Sequence, residues 1–224
     1  MTPMPVDPDF SSRIIMLLTT FVLVVQLMMV TQRTLVGNIH LFAVQSLLLC
    51  GVAGTIAWVH QATHVYFVLA LMLVGKVIAL PLFLIKLVRR IKINEELKPM
   101  FNSPVGMLLW GGFALLGHVV ARPFAGRSPL INSTFGIAIA LVLMGLFLMI
   151  NRRTAINQVL ALLCAENGLF LAAISLTTFG MPLVVELGIF FDLFVAVMVL
   201  GILVFRIRET FASIDVERLN QLKG

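Results

Sequence analysis

"LLCAENGLFLAAI", residues Leu162 to Ile174, is an apolar run with one glutamate, Glu166, in its interior. If the run is a helix that crosses a bilayer, the carboxylate sits where charge is most costly. The rest of the chain supports that reading. Of its 224 residues, 60% are hydrophobic and only 12% are charged. The mean hydropathy is +1.08. A soluble domain carries a charged fraction of about 25%. The composition therefore predicts an all-α integral membrane protein with lipid as part of its solvent.

Working outward from Glu166, the chain divides into about seven apolar spans. They are Ile14–Val30, Ile39–Val59, Val65–Leu87, Val105–Val120, Ile131–Ile150, Ile156–Leu176 and Leu183–Phe205. Each is close to the ~20 residues a helix needs to cross about 30 Å of hydrocarbon. They are too long and continuous for barrel strands. The whole chain, 1–224, is expected to form one transmembrane domain, with no room for a separate soluble one. The leading "MTPMPVDPDFSSR" has two acids and one base, so no cleavable signal peptide is expected.

Lysine and arginine set the expected orientation. Arg13, Arg122 and Arg127 lie on one side, and twelve basic residues lie on the other, including Arg33, Lys86, Arg89, Arg90, Arg152 and Arg153. The side with twelve is expected to face the cytoplasm, which puts the N-terminus outside and the C-terminus inside. Because this charge is confined to loops, the formal net charge of +6 gives no reason to expect nucleic acid as a partner. The partner it does imply is the lipid bilayer.

Segments of the chain also resemble one another. "LLCGVAG" (Leu48–Gly54) resembles "LLCAENG" (Leu162–Gly168). The third span ends "LVRRIKI" and the seventh ends "LVFRIRE". These matches predict a parallel repeat of a three-helix unit over 13–98 and 128–224, joined by a linker helix at 105–120. In that register Val52 takes the place of Glu166, and Lys76 the place of Asp192.

Apart from Lys86 at a span end, four charged residues fall inside spans: Lys76, Glu166, Glu186 and Asp192. Lys76 and Glu166 are the midpoints of their spans, and Asp192 lies near the middle of its own. A central charge costs roughly 2.5–3.5 kcal/mol on insertion scales, against about 0.3–0.6 kcal/mol returned by each Leu, Ile, Phe or Val. One such group per span is tolerable, provided it faces the bundle interior. A single Lys–acid pair fixing helix register would use one acid and one base. Three acids against one base leave carboxylates over, and burial disfavours the charged form of each. Groups held in that state are suited to exchanging protons. A proton or cation relay through Glu166, Asp192, Glu186 and Lys76 is therefore expected, with structural pairing and a solute site as the rival readings.

Other residues carry smaller expectations. Pro81 should kink the third helix by freeing the carbonyl of Val77. Asn167 is suited to hydrogen bonding between helices, and Gly168 to close packing. His40, His60, His64 and His118 fall at span ends and are expected at the interfaces. Cys50 and Cys164 lie in apolar runs without a CxxC motif, so neither a disulfide nor a metal centre is expected.

Taken together, "LLCAENGLF", "VVELGIFFDLFVAVMV", "VGKVIALPL" and the terminal "DVERLNQLKG" resemble the hydrogenase-4 component E family. That family supplies a membrane subunit to complex I-related group 4 [NiFe]-hydrogenase and formate hydrogenlyase assemblies. The part from Ala155 to Gly224 is also similar to the three-helix K subunit of complex I (NuoK), which carries two mid-membrane glutamates. Glu166 falls on the first of these. Asp192 falls near the second, with Glu186 as its rival. The resemblance implies a non-catalytic subunit without a cofactor of its own, the NiFe centre and iron–sulfur clusters belonging to partner subunits. It implies antiporter-like and NuoH-like membrane subunits as partners, in a bacterial or archaeal cytoplasmic membrane. A subunit that only bridges its neighbours, or a subunit of a cation/proton antiporter, would be the alternatives.

Overall fold

In hydrocarbon a backbone must satisfy its hydrogen bonds within its own segment, so each apolar run closes on itself as a helix. The computed structural model describes residues 8–59, 66, 69, 70, 72–91, 101–124, 129–152 and 155–177. It contains α1 (Pro8–Thr31) and α2 (Leu35–Val59), then a π-helical segment, Leu73–Ala79, that leads into α3 (Leu80–Ile91). α4 (Ser103–Ala121) ends in one 3-10 turn, Arg122–Phe124, and α5 (Pro129–Asn151) and α6 (Ala155–Thr177) follow. There is no strand among the described residues.

Among the described residues, five helical stretches are long and apolar enough to cross a membrane: Phe10–Thr31, Leu35–Val59, Ser103–Ala121, Ser133–Asn151 and Ile156–Leu176. They coincide with the first, second, fourth, fifth and sixth expected spans. The chain is an all-α integral membrane protein. The third span is represented by helical residues 72–91. The seventh, Leu183–Phe205, lies outside the described residues, and so does most of the second copy of the expected repeat.

The third span departs from a regular helix upstream of the proline. Leu80 donates its N–H to Gly75 O, five residues back rather than four. Pro81 follows at the second position of α3. Because Pro81 cannot donate to the preceding turn, the chain widens before it, over the stretch that carries Lys76.

α1 and α2 form an antiparallel hairpin across the short connection at 32–34, where Asn38 N–H bonds to Thr34 O at 3.1 Å. α6 packs along α5 and also reaches α2, while α1 touches α4 and α5. Glycine sets the closest approach. A Cβ added to Gly168 would lie 2.7 Å from Val142 N, and one on Gly145 would lie 2.7 Å from Ala165 Cα. Gly168 therefore allows α6 to lie directly against α5, as its sequence position suggests. α4 is the outlying helix, with Leu108 and Leu115 turned outward.

Among the described residues the interior has three apolar clusters, and two of them share the same four segments at different depths. One joins Met29 of α1, Phe42 of α2, Leu80 and Leu84 of α3, and Leu160 and Cys164 of α6. The other joins Val22 of α1, Leu49 of α2, Met72, and Phe170 of α6. On all four segments a short stretch of chain separates the two clusters, and six buried polar residues collect there.

Candidate functional site

Lys76 sits in the middle of the π-helical segment, between Met72 and Leu80 of the two clusters. On α6, Glu166 and Asn167 lie between Cys164 and Phe170. On α2, Gln45 and Ser46 lie between Phe42 and Leu49. On α1, Gln26 lies between Val22 and Met29. These residues therefore form a polar layer bounded by apolar packing above and below. All six side chains are buried.

The geometry joins them. Lys76 Nζ lies 3.6 Å from Glu166 Oε1, with side-chain exposures of 2% and 5%. The same ammonium donates to Asn167 Oδ1 at 3.3 Å. Asn167 Nδ2 donates across to α2, to Gln45 Oε1 and to Ser46 Oγ, each at 3.2 Å. Gln45 Nε2 donates in turn to Gln26 Oε1 on α1 at 2.6 Å. Gln26 Nε2 is buried and has no hydrogen-bond partner among the described residues. Cys164, two residues before Glu166 on α6, contacts Met29 through sulfur, with Sγ and Sδ 3.7 Å apart.

Of the sequence-predicted relay groups, Lys76 and Glu166 are thus brought together. Glu186 and Asp192 lie outside the described residues. Pro81 is buried at the start of α3, five residues beyond Lys76. Asn167 makes the inter-helix hydrogen bonds that its residue type and position suggest. His40 and His118 are exposed, and His60 and His64 lie outside the described residues.

The uncharged members, Gln26, Gln45 and Ser46, were not singled out by reading the sequence. The available signal was a polar side chain inside an apolar span, in "FVLVVQLMM" and "LFAVQSLLL", since such residues tend to hydrogen-bond between helices. That signal cannot tell which helix provides the partner.

A second buried basic group lies at the turn between α5 and α6. The Arg152 guanidinium donates through Nη2 to Met29 O at 3.4 Å, and its Nε has no hydrogen-bond partner among the described residues. Burial pushes this guanidinium below its ordinary pKa. Beside it, Asn151 Oδ1 accepts from Phe101 N–H at 2.8 Å, which ties the start of α4 to the end of α5.

Chemically, the layer can hold a charge at mid-depth, orient it, and exchange a proton between an ammonium and a carboxylate that face one another. Over 186 residues, 82% of the chain and 85% of the relative, the sequence is 28% identical to hydrogenase-4 component E of Escherichia coli strain K12. The figures are the same for hydrogenase-4 component E of Shigella flexneri. Over 131 residues, 58% of the chain, it is 33% identical to an uncharacterized protein of Mycobacterium tuberculosis, of which the match spans 59% of the length. No family model and no solved structure matches the chain.

Proposed function

Because the chain is a homologue of hydrogenase-4 component E, we propose that it is a membrane subunit of a hydrogenase complex and carries part of a proton or cation path through that complex. The observation that carries this reading is the buried pair Lys76–Glu166 at 3.6 Å, set in a polar layer between two apolar clusters. Charged residues inside membrane spans that face the bundle interior and one another commonly mark ion pathways. Glu166 is the group that gains and releases the proton, and Lys76 is the counter-charge that changes how readily it does so. Asp192 and Glu186 are proposed to continue the row. In this reading redox chemistry and its metal centres belong to partner subunits, and this chain supplies no catalytic residue. The N-terminus lies outside and the C-terminus in the cytoplasm.

The rival is a structural subunit in which the same pair only fixes helix register. Its support is the directness of the contact, since a close buried pair strongly penalises any displacement of its helices. Glu166→Gln separates the two. Glutamine keeps the size and the hydrogen-bonding capacity of the side chain but cannot ionise. In membrane vesicles the variant complex is expected to assemble and to lose at least tenfold in proton translocation. Full translocation by an assembled variant would make the pair structural only.

A further inference from the structure

The hydrogen bonds of the polar layer run in one direction. An ammonium has donors and no acceptor, so Asn167 must present Oδ1 to Lys76. Its Nδ2 then faces Gln45 Oε1 and Ser46 Oγ. Gln45, having turned its oxygen to Asn167, faces Gln26 with Nε2. Gln26 is left with its own Nε2 at the far end, buried and without a hydrogen-bond partner among the described residues. Each amide thus points its oxygen towards Lys76 and its nitrogen away. Three aligned amide dipoles stabilise a positive charge at the lysine, and in a low-dielectric interior such chains polarise one another.

We infer that Asn167, Gln45 and Gln26 are positioning residues of the relay, forming an amide chain that holds the Lys76 ammonium against Glu166 and takes its direction from the charge of Lys76. The inference rests on the reading of Lys76 and Glu166 as relay groups. A neutral amine has a lone pair and can accept. When Lys76 is neutral, Asn167 can donate to it, and the chain can reverse amide by amide as far as Gln26. Side-chain amides neither bind nor release protons near neutral pH. The chain therefore orients the charge and does not conduct it, and the proton stays on the Lys76–Glu166 side of the layer.

A double-mutant cycle on the assembled complex in membrane vesicles tests this. Gln45→Leu interrupts the chain, Lys76→Met removes the charge that the chain orients, and proton translocation per turnover is measured for both and for the double variant. The expected result is a loss of three- to tenfold for Gln45→Leu and no further loss beyond twofold when it is added to Lys76→Met. Losses that multiply would show that Gln45 acts on packing and not through Lys76. Unchanged translocation in Gln45→Leu would also rule out the positioning role, while leaving the relay intact if Lys76→Met is impaired. Unchanged translocation in Lys76→Met would instead remove the relay reading itself. Where either variant assembles poorly, Gln26→Leu and Lys76→Gln complete the same cycle, because each keeps more of the polar layer.

Discussion

Lys76 and Glu166 each lie in an environment that penalises an isolated charge, and each is tolerated through the other. Truncating one partner of a buried pair strands the second, at about 3–5 kcal/mol. Lys76→Met is therefore expected to lower the amount of assembled complex more than Glu166→Gln, because a glutamine at position 166 can still accept from the ammonium. The double variant Lys76→Met/Glu166→Gln has no stranded charge and should recover most of the loss. Quantifying the complex on native gels, with thermal stability in detergent, checks both statements. A wild-type level for Lys76→Met would mean that the pair contributes little to assembly. These two residues were legible in the sequence because charge inside a twenty-residue apolar run has few explanations. Gln26, Gln45 and Ser46 were not, because an uncharged polar group inserts more cheaply than a charge and can face any side of its helix. Only the packing of α2 against α6, and of α1 against α2, brings them into the layer of Lys76.

Helix boundaries were also largely legible, since hydropathy and the need to satisfy the backbone in lipid determine both length and type. The wide turns over Leu73–Ala79 were not. Pro81 indicates that the helix is interrupted, but where the chain takes up the irregularity depends on the neighbours of Lys76, and those are distant in sequence. Helix contacts show the same division. Gly168 and Gly112 look alike in the sequence, both being glycines within a span. A Cβ on Gly168 would lie 2.7 Å from Val142 N, whereas one on Gly112 meets nothing within 4 Å. Gly168→Val is accordingly expected to push α6 off α5 and to cost about 1–3 kcal/mol, in the range of overpacked cores. Gly112→Ala should stay within about 0.5 kcal/mol of wild type, as at an open surface position. Thermal melts of the two variants in detergent measure the contrast. Equal melting temperatures would mean that the α5–α6 approach is looser than described.

For the molecule as a whole, the distribution of basic residues predicts which ends of the helices face the cytoplasm. Arg13, Arg33 and Arg122 are exposed, while both native cysteines, Cys50 and Cys164, are buried. Single cysteines placed at these three positions can therefore be labelled over a low background. A membrane-impermeant maleimide added to intact cells should label positions 13 and 122 and spare position 33. Labelling of position 33 alone would invert the topology. The polar layer has one more consequence, which concerns the order of synthesis. Asn167 follows Lys76 by 91 residues. At about 5–20 residues per second, Asn167 and its neighbour Glu166 leave the ribosome about 5–18 s after the lysine. During that interval the third helix holds a nascent charge whose partners on α6 do not yet exist, although Gln26 and Gln45 are already made. α6 is thus the closing piece of biogenesis: until it arrives, Lys76 must be sheltered by the insertion machinery or by a neighbouring subunit.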